Sequence, residues 1–260
     1  MQYMRCLQMT WDFLQTGKTT RNIMKAKTII GGTILAASSV LAGPVMAGSF
    51  SANLGVTSDY LWRGITQTGD QAAIQGGMDY SNDSGFYAGT WMSNVSWTDP
   101  NGYELDLYAG YRFDTGSVSW DAGYIYYAYP LTSNANGSAS TGDYADDFGE
   151  VYLNVGWKWL GGGVAYQTNA ATNEPGAEKS GNLYYFVSAE GEQGGVGYGG
   201  KLGRYTFKNA SSSDYNYLEL YLSKSDFTFS VSKTDADETA WGTTADDVHA
   251  WVSWSKTIDL

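Results

Sequence analysis

Between residues 103 and 129 the chain alternates between apolar and polar positions. Tyr103, Leu105, Leu107, Ala109, Tyr111 and Phe113 fall on one side, and Glu104, Asp106, Tyr108, Gly110, Arg112 and Asp114 on the other. A period of two is the side-chain period of a strand, so the segment reads as a β-strand with one apolar and one wet face. After Thr115, Gly116 and Ser117 the pattern resumes. Val118, Trp120, Ala122, Tyr124, Tyr126 and Ala128 stand opposite Ser119, Asp121, Gly123, Ile125, Tyr127 and Tyr129, which makes the pair a hairpin. Runs of roughly ten to twelve residues exceed the ordinary strand of about five or six and suit the wall of a transmembrane barrel.

The alternation recurs along the chain. Residues 49–66 read as a long first strand or two segments joined by a bulge, and 72–81, 86–97, 148–159, 162–169, 182–190, 196–206, 215–224, 227–234 and 247–258 follow. With the hairpin this predicts twelve antiparallel strands, or ten if 162–169 and 227–234 merge. The predicted connections sort by length. Those at 67–71, 98–102, 130–147, 170–181, 207–214 and 235–246 include the long ones, whereas those at 82–85, 115–117, 160–161, 191–195 and 225–226 are tight. Long loops at one end and tight turns at the other, with both termini on the tight side, is the arrangement of outer-membrane barrels. Abundant glycine lets strands bend around a closed barrel, and Tyr and Trp suit the two membrane interfaces.

The N-terminal segment changes the charge and the compartment. Lys18, Arg21, Lys25 and Lys27 precede an apolar run at 28–41, and Val45, Met46 and Ala47 place small residues ahead of a cleavage point before Gly48. Residues 1–47 are therefore expected to be a signal peptide, with Met24 a candidate true start, and 48–260 a single barrel domain. Without 1–47 the chain carries ten Lys and Arg against twenty-six Asp and Glu. That acidity argues against a nucleic-acid partner, which needs a basic surface. The only cysteine, Cys6, lies in the removed segment, so the exported domain holds together without disulfides.

One stretch has a family likeness. Residues 58–68 (SDYLWRGITQT), 73–80 (AIQGGMDY) and 84–91 (SGFYAGTW) resemble the TorF family, a proteobacterial family taken for porins and otherwise catalogued as of unknown function. The resemblance continues through 104–111, 123–129 and 149–152 and fades after about residue 170. It implies an outer-membrane channel, and it also implies an aromatic last residue, whereas this chain ends in Leu260.

Candidate chemistry is sparse. His249 is the only histidine, so Ser/His/Asp, Cys/His and His-rich zinc sites have little to build on; it reads as a polar residue near the rim of the last strand. Glu104 and Asp106 share one strand face about 7 Å apart, a spacing that a two-carboxylate glycosidase could use, though wet strand faces carry such pairs without catalysis. By parity the pore-lining candidates are Glu104, Asp106, Asp121, Glu150 and Glu219, with Arg112, Lys158 and Lys201 among them. Arg63, on the parity of Asp59, either turns inward to pair with lumen carboxylates or snorkels at the membrane surface. The mouth loops are acidic, notably Asp143, Asp146, Asp147, Asp235, Asp237 and Glu238. The clusters at 143–147 and 235–238 could take Ca²⁺, yet they lack the spacing and glycine of an EF-hand and read as solvated loop charges. The expectation is an outer-membrane barrel in contact with lipid, acting as a narrow channel for small ions and solutes. Cation preference, no catalysis, no metal and no cofactor complete it. The alternative is a plugged structural or adhesive barrel whose acidic loops bind a ligand or partner.

Overall fold

The computed structural model describes residues 48–97, 102–130, 147–170, 180–208, 210, 213–241 and 244–260. The proposed signal peptide, Asp143 and Asp146 lie outside the described residues. The strands are β1 (Gly48–Thr57), β2 (Leu61–Trp62), β3 (Ile65–Thr66), β4 (Ala73–Asn82), β5 (Phe86–Asn94), β6 (Tyr103–Thr115) and β7 (Val118–Ala128). They continue as β8 (Phe148–Trp157), β9 (Leu160–Ala170), β10 (Leu183–Gln193), β11 (Val196–Thr206), β12 (Tyr215–Lys224), β13 (Phe227–Thr234) and β14 (Val248–Asp259). A single helical turn, Glu238–Trp241, interrupts the last loop.

Twelve of these strands close into one antiparallel barrel in the order β1-β14-β13-β12-β11-β10-β9-β8-β7-β6-β5-β4. Closure falls at β1, which pairs with β14 from Ser51↔Asp259 to Thr57↔Ser253 and with β4 from Gly48↔Asn82 to Thr57↔Ala73. A closed barrel leaves no edge strand, which is what allows sheet to cross lipid. Segments 160–170 and 227–234 are separate strands, so the barrel has twelve strands and not ten. Leu260 continues the outward phase, and its N–H reaches the Phe50 carbonyl at 2.9 Å.

The outer face is an apolar belt. Leu54, Ile74, Met92, Leu107, Val151, Leu153, Val187, Leu202, Leu220 and Val252 all point outward and are exposed. Rings flank the belt near the tight turns: Phe50 lies 5.0 Å from Tyr80, and Phe113 stacks on Trp120 at 6.3 Å between centroids. Among the described residues no helix is long and apolar enough to cross a membrane; the chain crosses with strands, and the protein is an outer-membrane barrel.

Several strand ends differ from the sequence pattern: β5 stops at Asn94 and not at 97, β10 runs on to Gln193, and two further differences matter more. The first strand ends at Thr57 instead of running to Thr66, because residues 58–72 leave the wall and fold into the barrel, with β2 and β3 forming a two-stranded hairpin of their own. The turn placed at 160–161 sits at Lys158 and Trp159. Lys158 takes a left-handed φ of 55° there, and alternation ends with the strand that imposes it.

Candidate functional site: the barrel interior

The inward-folded segment begins with its own turn chemistry. Arg63 and Gly64 occupy left-handed conformations at φ 51° and 85° between the paired residues Trp62 and Ile65, the geometry of a two-residue type I′ hairpin. Only glycine fits at position 64. A Cβ there would stand 2.7 Å from Thr234 Cγ2 and 2.8 Å from Tyr217 Cβ, so the hairpin tip presses on the wall at β12 and β13.

Side chains of this segment meet the wall in several directions. The Arg63 guanidinium donates to both Glu150 oxygens, at 2.9 and 2.6 Å, and lies over the rings of Tyr184, Trp62 and Tyr205 at 4.1, 4.2 and 4.7 Å. Glu150 faces inward by the alternation of β8, on the parity of Tyr152 and Asn154, and beside it the ladder shifts register, with Gly149 paired to Asn169 and Glu150 to Gln167 across an extra residue on β9. Trp62 packs edge-on against Tyr205, Tyr127 and Phe148 at 5.6, 5.9 and 6.1 Å. Tyr60, wholly buried, sets its ring against Trp91 and donates its hydroxyl to Glu104 at 3.1 Å. The loop end of the barrel is thus filled by a core, and burial pushes the Tyr60 hydroxyl well above the ordinary phenol range.

The lower part of the interior, toward the tight turns, is different. Inward tyrosines there lie flat over glycines of the neighbouring strand. A Cβ on Gly89 would stand 2.6 Å from the Tyr108 hydroxyl, and one on Gly199 2.5 Å from that of Tyr221. The rings therefore coat the wall instead of projecting across it. Their hydroxyls reach carboxylates: Tyr87 donates to Asp121 at 2.6 Å, Tyr221 to Glu190 at 3.0 Å, and Tyr108 to Asp79. Arg112, partly exposed, lies 3.9 Å over Tyr87 and 3.8 Å from Asp121. Glu219 stands opposite Lys201 on the adjacent strand. This half is polar and partly exposed, as in Asn154, Glu190 and Ser223.

The candidates from the sequence are thus distributed over two levels. Glu104, Asp106, Glu150 and Arg63 belong to the packed upper level, and Asp121, Arg112 and Glu219 to the lower. Glu104 and Asp106 are 1% and 0% exposed, and Tyr60 caps Glu104, so the pair that a two-carboxylate glycosidase could use is buried. Lys158 does not line the interior. It is exposed in its turn with Nζ 4.5 Å from the Trp157 ring centroid. Asp147 is not a solvated loop charge either: it is 2% exposed and accepts from the Tyr129 N–H at 2.8 Å and the Tyr126 hydroxyl at 2.9 Å. Burial raises its carboxyl above the usual range, against those two hydrogen bonds. Asp235, Asp237 and Glu238 are exposed, and Asp235 accepts from the N–H and side-chain amide of Asn216 at 2.5 and 2.7 Å.

One cluster escaped the sequence reading. Asp59 and Asp70, at the two ends of the folded-in segment, converge on His249 at the loop end of β14. Asp59 Oδ1 accepts from the hydroxyls of Thr66 and Thr68 at 2.6 and 3.0 Å. Burial raises the Asp59 carboxyl, and those hydroxyls oppose the rise. Separations of 11 and 179 residues hide such a cluster from any motif search. The hairpin did leave a signal, since Trp-Arg-Gly-Ile is a two-residue turn between apolar neighbours.

Solved porins are among the similar structures, at low identity. The KdgM porin is 8% identical, with 82% of this chain and 99% of that chain covered and a TM-score of 0.47. The NanC porin is 12% identical over 80% and 97%, at 0.43. Pseudomonas aeruginosa OccD3 is 12% identical over 82% and 65%, at 0.39. No curated protein matches the chain. A family model described as "Bacterial protein of unknown function (Gcw_chp)" matches residues 41–257. That description does not carry the TorF name. A match over most of the chain places the protein in the Gcw_chp family of bacterial proteins.

Proposed function

We propose that the protein is an outer-membrane channel for small solutes, gated by residues 58–72 and preferring cations. The observation that carries this reading is the charge placed inside the barrel. Glu104, Asp106 and Glu150 above, and Asp79, Asp121, Glu190 and Glu219 below, outnumber Arg63, Arg112 and Lys201. Ionisable groups within a membrane span are costly to keep and mark ion or solute paths. An excess of one sign concentrates the opposite ion. The flat tyrosines favour a lower bore wide enough for water. The folded-in segment closes the upper level in this conformation, so conduction requires it to swing aside, and openings are expected in bursts.

The packing around Trp62 favours a second reading, a plugged barrel whose acidic loops bind a ligand or partner. Planar-bilayer recording separates the two. The full-length protein should give small, intermittent, cation-selective currents, and replacing 58–72 by a short Gly-Ser linker should give larger, steady ones. Absence of current from a demonstrably folded full-length barrel would overturn the channel reading in favour of the plug.

A further inference from the structure

His249 is turned inward where β14 meets the folded-in segment, and its two ring nitrogens face different partners. Nε2 lies 3.1 Å from the Thr244 carbonyl oxygen. A carbonyl has no proton to give, so Nε2 carries the hydrogen, and in a neutral ring Nδ1 is then bare. That bare nitrogen faces Asp70 Oδ1 at 2.9 Å and Asp59 Oδ2 at 3.7 Å. The ring and the Asp59 side chain are 6% and 8% exposed. A lone pair held against two carboxylates, one buried with the ring and the other 54% exposed, calls for a positive charge between them. An imidazolium would bring one unit against two, whereas a divalent cation brings two and uses the neutral ring.

We propose that Asp59, Asp70 and His249 bind a single divalent metal ion of the zinc class, which fastens the folded-in segment to the barrel wall. The donor set matches: one imidazole and two carboxylates, with a fourth position left for water. An imidazole ligand selects zinc and its neighbours over calcium and magnesium. Ligating histidines commonly donate their other N–H to a carbonyl, as Nε2 is placed to do toward Thr244. The hydroxyls of Thr66 and Thr68 hold Asp59 Oδ1, which leaves Oδ2 for the ion. The candidate ligand atoms lie within 4.8 Å of one another. Ligands about 2.1 Å from a tetrahedral ion stand about 3.4 Å apart, so a small shift of Asp70 completes the site. Asp70 is exposed, which gives the ion an entry path. Both carboxylates belong to the segment and the histidine to the wall, so the ion would work as a clasp on the proposed gate. The site deepens that gating reading, but the binding it implies does not depend on conduction.

The test reads binding directly. The purified full-length barrel, stripped with chelator, is titrated with Zn²⁺ alone at about pH 7.5, in competition with a chromophoric chelator. One ion per barrel is expected, weakened roughly ten-fold or more by His249→Ala and by Asp70→Asn, with heat-modifiable gel migration showing that each variant still folds. Calcium at about a hundred-fold excess should not displace it. Co²⁺ should give the visible bands of a four-coordinate site in the parent and not in His249→Ala. Equal zinc affinity in the parent and in His249→Ala would assign the metal to acidic loops and overturn the proposal, as would the absence of stoichiometric binding.

Discussion

The Arg63 guanidinium meets the Glu150 carboxylate inside the barrel, both of its bonds at 2.9 Å or less, although 87 residues separate them in sequence. The pair is almost fully buried, 2% and 1% exposed at the side chains. It spans from the inserted hairpin to β8, and it holds Arg63 in a left-handed conformation that disfavours any side chain.

Removing one partner of such a pair strands a buried charge at a cost of about 3–5 kcal/mol. Arg63→Ala should therefore free the hairpin while the barrel, whose ladder it does not join, stays closed. Limited proteolysis of the purified protein should show new cleavage within residues 58–72 and unchanged heat-modifiable migration. Glu150→Gln should do the same more weakly, since Gln keeps one acceptor for the guanidinium.

Selectivity follows from the interior charge. With a KCl gradient across a planar bilayer, the reversal potential should report cation preference, and replacing Glu104 by Gln and Asp106 by Asn should reduce it. Loop acids such as Asp143 and Asp146 should matter near 0.1 M salt and fade toward 1 M, as the Debye length falls from about 10 Å to about 3 Å. Asp147, buried under Tyr126 and Tyr129, should not follow that salt dependence. A measured anion preference would count against this assignment.

Asp147 also predicts a pH dependence. Its carboxyl is raised in the folded state by burial, so the folded protein binds more protons than the unfolded chain between the two pKa values. Its contribution to stability then rises as pH falls through the raised value and levels off below about 4, the ordinary aspartate range. Urea midpoints in lipid, compared with Asp147→Asn, should show a difference that shrinks or reverses with rising pH. A pH-independent difference would refute the burial argument.

Two glycines should respond oppositely. Gly89→Val drives Tyr108 from the wall and breaks its bond to Asp79, and should cost about 1–3 kcal/mol. Gly156→Ala meets nothing within 4 Å and should stay within about 0.5 kcal/mol of the parent. Equilibrium unfolding in lipid vesicles measures both.

Orientation is testable on whole cells. Epitope tags in loops 130–147 and 235–246 should be reachable from outside, and tags in the turns at 194–195 and 225–226 should not. Tags belong in these turns and not at 160–161, which lies at the start of β9. Reversed labelling would invert the barrel.

Strand count, the faces of the strands and the sorting of loops were legible in the chain, because alternation is a local property. Once Leu105 and Leu107 face lipid, Glu104 and Asp106 have no choice but to face inward, and a one-residue slip would reverse the whole strand. The same rule fails at its ends. Lys158 kept the inward parity of Asn154 but lies past the last paired residue of β8, so a turn decides its direction. Asp147 looks like one more loop acid, yet the Tyr129 N–H and Tyr126 hydroxyl enclose it where β7 and β8 meet. Residues 58–66 alternate well enough to pass for a strand, but an inserted hairpin needs the same alternation to pack one side on a wall. Only closure of the barrel created an enclosed space for that hairpin to enter. The meeting of Arg63 with Glu150, and of Asp59 and Asp70 with His249, is likewise a product of closure, which brings together residues whose separation along the chain carries no trace of it.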